Sequence, residues 1–120
     1  MAYENLGKCI ALPSSGDLSE RQYRFVRLNS SGQIVLVGSV GGTAIGVLQD
    51  KPTAANQAAS VMVGPGVTKI VAGGNFNAGD DLKSDGQGRA ISAGGSDALG
   101  YALEANTSGE GAIVSMLFQR

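Results

Sequence analysis

Three carboxylates fall within six residues in the run Asp80-Asp81-Leu82-Lys83-Ser84-Asp85-Gly86, the densest chemical grouping in this 120-residue chain. Aspartates interleaved with turn residues are the raw material of calcium loops, because Ca²⁺ takes roughly six to eight oxygens held on a tight bend. Here Lys83 stands at a ligand position and no bidentate glutamate follows at the required distance, which excludes an EF-hand. Asp80, Asp81 and Asp85 are therefore expected to form a solvated acidic turn, and no metal site is assigned. The remaining groupings are thinner. There is no histidine and a single cysteine. Without histidine neither a Ser-His-Asp nor a Cys-His arrangement exists, and the commonest metal ligand is missing. Cys9 follows Lys8 but has no second thiol for a zinc or iron–sulfur site and no base at a recognisable spacing. The glycines between Gly38 and Gly46 are followed by Val47 and Leu48 rather than Lys-Ser/Thr, so they are turn residues and not a phosphate loop. Acid–base chemistry would need Asp97 with Glu104, or Asp50 with Glu104, in one cleft with contrasting surroundings. Nothing in the sequence puts either pair in a cleft. The chain reads as a non-enzyme with no cofactor.

The elements that carry these residues are short. Nineteen glycines separate brief apolar runs and show no three-residue period, which excludes collagen and points to many turns. With three Phe, three Tyr and no Trp, the core must be built from Val, Ile, Leu, Ala and Met. Strand candidates succeed one another from Tyr23–Leu28 through Gln33–Val37, Ala44–Gln49, Ala59–Val63 and Val67–Ala72. Further candidates are Asp81–Ser84, Arg89–Ser92, Ala98–Leu103 and Ala112–Phe118. No segment carries an amphipathic helical period. The chain also repeats itself. Arg27–Val63 and Asp81–Leu117, laid together without a gap at an offset of 54 (100 − 46), agree at Leu28/Leu82, Gly32/Gly86, Gln33/Gln87, Ala44/Ala98, Gly46/Gly100 and Met62/Met116. Neither copy is large enough to enclose a core alone, so the two must bury their apolar faces together. The expected fold is all-β, a small barrel or sandwich built from two similar strand-turn-strand repeats, with an extended N-terminal arm. The arm is placed at 1–20, ending in Pro13-Ser14-Ser15-Gly16, and a single β domain at 21–120 holds the repeats at about 27–63 and 81–117.

A formal charge of −1 supplies no electrostatic reason to bind nucleic acid or an anionic membrane. No apolar run reaches the ~18 residues needed to span a bilayer. The start of the chain lacks the basic-then-apolar order of a signal peptide, and an unpaired cysteine suits synthesis in a reducing cytoplasm.

The second copy carries a further pattern. Gly79-Asp80 precedes Leu82, then come Gly86 and Gly88, Arg89-Ala90, Gly100-Tyr101-Ala102-Leu103-Glu104, Gly109-Glu110 and Ile113–Phe118. The first copy matches more loosely through Arg27-Leu28, Gly46-Val47-Leu48 and Pro52. Over about Gln22–Phe118 the chain resembles the small capsid decoration (cement) proteins of tailed bacteriophages. The resemblance implies a non-enzymatic β protein, made in the host cytoplasm, that binds the outer surface of an assembled head and stabilises it. It implies the major capsid protein as partner and a homo-oligomer, with a trimer favoured. The arm lies outside the repeat and carries large apolar residues without a period, so Tyr3, Leu6, Ile10 and Leu12 are its expected contacts with the capsid or a sister subunit. The competing reading is a ligand- or glycan-binding β module of a phage fibre or cell-surface assembly, for which Tyr3, Tyr23 and Tyr101 would supply the phenols.

Overall fold

The computed structural model describes residues 8–119. Ten strands make two five-stranded antiparallel sheets. The first contains β1 (Lys8–Pro13), β2 (Phe25–Leu28), β3 (Ile34–Leu36), β4 (Gly46–Leu48) and β5 (Ala58–Val63), in the spatial order β1-β5-β4-β2-β3. The second contains β6 (Gly66–Val71), β7 (Asp81–Ser84), β8 (Ala90–Ser92), β9 (Gly100–Ala102) and β10 (Ile113–Phe118), in the order β6-β10-β9-β7-β8. The two orders are the same five-strand sequence used twice, so the duplication seen in the residues is a duplication of topology. Each sheet curls until its edges touch. Ser14, just past β1, bridges in parallel to Ile34 in β3, and Ala72, just past β6, bridges to Ala90 in β8. Each half is thus a sheet partly closed on itself.

Two details correct the sequence reading. Residues 8–13, assigned to the arm, form β1 and pair with β5 from Lys8↔Val63 to Pro13↔Ala58. In its sheet β1 holds the place that β6 holds in the other, so the structural repeat begins here rather than near residue 27. The period of two was hidden because the residues alternating with Ile10 and Leu12 are Cys9, Ala11 and Pro13, none of them polar enough to mark a wet face. The second correction concerns register. Val26 pairs with Gly46 as Leu82 pairs with Gly100, which sets β2 and β7 at an offset of 56 (82 − 26) while β4 and β9 stay at 54 (100 − 46). The two-residue slip is absorbed by the loop after the third strand of each half, residues 37–45 in the first and 93–99 in the second. The structural counterpart of Gly32 is accordingly Gly88, and both have left-handed φ, +77° and +74°.

Alternation along the strands explains the core. In the first sheet Val26, Ile34, Leu48, Ala59 and Val61 are fully buried on one face, with Leu12, Leu18, Ile45 and Val63 packed over them. The opposite face presents Phe25, Val47 and Met62, also fully buried, and these join the cluster of the second sheet that contains Ile70, Leu82, Leu99, Met116 and Phe118. The Phe25 and Phe118 rings meet at 6.3 Å between centroids, tilted by 38°. Backbone hydrogen bonds stitch the same seam: the Phe25 amide donates to the Gly88 carbonyl at 2.8 Å and the Val71 amide to the Tyr23 carbonyl at 2.8 Å. Val71 lies on β6, an edge strand whose outward amides need partners. The equivalent position on β1 is Pro13, which has no amide to satisfy.

Candidate binding surface

The acidic run does not converge. The Asp80 carboxylate accepts the Asn77 amide at 2.9 Å, and that of Asp81 accepts the Gly95 amide at 3.0 Å. Asp85 Oδ1 accepts the amides of Gln87 (2.8 Å) and Arg89 (2.9 Å), while Oδ2 pairs with Arg89 Nε at 2.9 Å. Each carboxylate holds a different turn. Among the described residues no three Asp, Glu, Cys or His side chains gather where an ion could sit. Asn29 does for the first copy what Asp85 does for the second: its Oδ1 accepts the amides of Ser31 (3.0 Å) and Gln33 (2.9 Å). An amide and a carboxylate at equivalent places, with the same two acceptor bonds, mark these side chains as turn caps. Of the other acids, Asp97 lies against Gly41, and Glu104 Oε1 accepts the Ser115 amide at 3.4 Å.

One depression, of about 350 Å³, is lined by Asp17, Ser19, Glu20 and Arg21 in the segment between β1 and β2. Asp17 accepts both the Ser19 hydroxyl (2.6 Å) and the Ser19 amide (3.0 Å), and the hydroxyl bond first, then the amide, holds its pKa below the ordinary carboxylate value. These residues offer charge but no nucleophile–base pair. Further along, Arg24 crosses the seam between the halves and donates from Nη1 to the Gln87 carbonyl at 3.1 Å. Its Nε is buried without a hydrogen-bond partner. Burial, and then the nearby Arg21 and Arg89 guanidiniums, lower the Arg24 pKa.

The residues expected to anchor the arm divide. Tyr3 and Leu6 lie outside the described residues. Ile10 is half-buried in register with Val61, and Leu12 packs on the molecule's own first cluster. Leu12 therefore fastens the beginning of the domain to itself. Cys9 is exposed on the other face of β1. Of the large apolar side chains that face water, sequence reasoning named Tyr101 (42% exposed), as a phenol for the ligand-binding alternative, and missed Val40 (63%), Ile113 (47%) and Leu28 (40%). Val40 rides on the loop that is longer in the first copy, and Tyr101 and Ile113 share one face of the second sheet.

A surface made of strand faces, an edge strand and turns suits a protein that binds other proteins, and known proteins bear on which kind. No curated protein sequence matches the chain. Its fold is similar to that of the head fibre gp8.5 N base of bacteriophage phi29, with a TM-score of 0.71 at 15% identity, covering 93% of this chain and 95% of that one. At that identity the likeness speaks for the fold. The family model for phage cement protein matches residues 29–117, which is 89 of the 120 residues and takes in both sheets from β3 to β10. The chain belongs to the phage cement proteins, virion-associated structural proteins that decorate the capsid.

Proposed function

We propose that the protein binds the outer surface of an assembled phage head as a homo-oligomer, trimeric in the favoured form, with the major capsid protein as its partner, and that its role is mechanical rather than catalytic. The observation that carries this reading is the family match across both sheets. The likeness to the N base of a phage head fibre supports it, since that protein too is a component of a phage head. Residues 1–12 are proposed to make the contact, through Tyr3, Leu6 and Ile10, with Leu12 fixing the point of departure by its packing on the first sheet. Burying one such side chain is worth roughly 1.5–3 kcal/mol, and each ordered residue costs about 1–2 kcal/mol of backbone entropy. One arm is therefore weak, and firm attachment comes from several arms of one oligomer acting at high effective concentration.

The test is reconstitution. Expanded heads lacking the protein are mixed with the full chain or with a chain lacking residues 2–7, which leaves β1 intact. Electron cryomicroscopy should show ordered density on the outside of the head for the full chain and strongly reduced occupancy for the truncated one. Density inside the shell would overturn the outer-surface reading. Undiminished occupancy without residues 2–7 would move the contact from the arm to the loops of the domain.

A further inference from the structure

The turn that enters β2 has a duplicate in the turn that enters β7. The Tyr23 amide donates to the Leu48 carbonyl (2.7 Å) as the Gly79 amide does to that of Ala102 (2.8 Å). The Leu48 amide donates to the Arg24 carbonyl (3.0 Å) as the Ala102 amide does to that of Asp80 (2.9 Å). Arg21, Tyr23 and Arg24 therefore stand where the second copy has Asn77, Gly79 and Asp80, at the same offset of 56 (80 − 24) that relates β2 to β7. The backbone is left-handed at both Gly79 (φ +87°) and Tyr23 (φ +63°). Glycine takes that conformation freely, and a tyrosine does not. Asp80 closes its turn by accepting the Asn77 amide at 2.9 Å, which an arginine, having only donors, cannot do. Neither Tyr23 nor Arg24 serves the turn as its counterpart does, and a residue kept against local preference points to a use elsewhere.

The charges around Arg24 are not balanced. Its Nη1 is fixed on the Gln87 carbonyl at 3.1 Å, and its Nε is buried with no acceptor. Nη2 makes no hydrogen bond among the described residues and, unlike Nε, is not shut away from solvent. Of the neighbouring guanidiniums, Arg89 is engaged by Asp85 and Glu110, while the Arg21 side chain has no hydrogen-bond or carboxylate partner among the described residues. The Tyr23 ring lies beside a further cation, 5.6 Å from Lys69 Nζ. We propose that Arg21 and Arg24 form a binding site for a carboxylate side chain of the capsid protein. The planar guanidinium fork matches a carboxylate in shape and charge. Asp17 and Glu20, which line a depression with Arg21, and Asp85 beside Arg24 would repel a phosphate dianion or a nucleic-acid backbone, so a singly charged anion fits best. Tyrosine and arginine are also the side chains from which interfaces draw most of their energy. The site rests on the capsid partner proposed above and adds to the arm a second contact, on the domain.

The experiment has one arm in solution and one on heads. The full chain, labelled with nitrogen-15, is titrated with tetraglutamate and separately with inorganic phosphate, while nuclear magnetic resonance follows the Arg24 Nε–Hε and Gln87 amide signals. Tetraglutamate should shift both, and Arg21→Gln and Arg24→Gln should each weaken its binding about tenfold. Circular dichroism and a melting curve establish that the variants are folded; should Arg24→Gln melt early, Arg24→Lys keeps the charge and loses the fork, and it should weaken binding too. On expanded heads, Arg24→Gln should bind about thirtyfold more weakly than the wild type, as loss of one partner of a charge pair does. Absence of a shift, or the same shift in the folded variants, overturns the proposal. Phosphate binding more tightly than tetraglutamate overturns the carboxylate and makes this a site for the free anion. Folded variants that occupy heads as fully as the wild type overturn the capsid protein as its source. If the wild type itself leaves heads bare while tetraglutamate binds as expected, the outer-surface reading fails and the carboxylate site stands without it.

Discussion

At the scale of single residues, the two turn caps are a controlled comparison. Asn29 and Asp85 occupy equivalent places and each accepts two backbone amides, but Asp85 also holds the Arg89 guanidinium, which reaches Glu110 at 3.4 Å. Asn29→Ala should cost about 1 kcal/mol, the loss of local bonds in an accessible turn, and Asp85→Ala about 2 kcal/mol, because charge-assisted bonds to a half-buried arginine go with it. Urea denaturation of the two variants tests the order, and equal losses would contradict it. Asp17 makes a second residue-scale case. Its Ser19 bonds favour the carboxylate, so its folded pKa lies below 3.8. A group with a depressed folded pKa contributes stability above its unfolded pKa and loses it as the pH falls through the folded value. Nuclear magnetic resonance titration should place the Asp17 midpoint below that of an unrestrained aspartate, and Ser19→Ala should raise it.

At the scale of elements, β4 and β9 lie where two backbones come unusually close. A Cβ on Gly46 would enter the Met62 carbonyl oxygen, and one on Gly100 the Leu117 carbonyl oxygen. In both sheets the third strand in space carries a glycine where a backbone carbonyl of the neighbouring strand takes the space of a side chain. Gly46→Ala and Gly100→Ala should each cost about 3 kcal/mol, the upper range for forcing atoms into a packed interior. That is a large share of the ~5–15 kcal/mol typical of a domain. If either alanine is tolerated within experimental error in chemical denaturation, the close approach is not structural. The edge strand β1 gives the companion prediction. Removing residues 2–13 takes away β1 and the Leu12 cover over Val26, Ile34 and Val61, and should lower the melting temperature by about 5 °C or more, whereas removing residues 2–7 should not.

At the scale of the whole molecule, two curled sheets stacked in series make a body 37 Å long and 23 Å across its shortest dimension. The seam between them is the Phe25–Phe118 contact with its backbone bonds, so the halves should unfold together rather than one at a time. Substitution of Phe25 by alanine should lower the single melting transition without splitting it into two. A molecule held in this way by packing and its own hydrogen bonds should also be indifferent to chelation. Added EDTA should leave the melting temperature unchanged, and a fall of several degrees would show that a bound cation stabilises the folded state by mass action.

The residues by themselves determined the class of the fold. Gly-rich turns, short apolar runs and the absence of a 3.6-residue period exclude every plan but an all-β one, and the matched glycines announce the duplication. They also located nine of the ten strands, because those strands alternate or lie between strong turn signals. The family pattern was legible for the same reason: it is written in turns, and turn chemistry is local. Tertiary structure decided the rest. β1 became a strand only because β5 offers it a partner, a long-range pairing for which Cys9, Ala11 and Pro13 leave no local mark. The offsets of 56 and 54 follow from hydrogen-bond register, and identical residues aligned without a gap hide a two-residue loop difference. Which face is core and which is surface is likewise undecidable along the chain. Val47 and Tyr101 sit on matching rungs, and Val47 is buried because the second sheet lies over the first, whereas Tyr101 is 42% exposed.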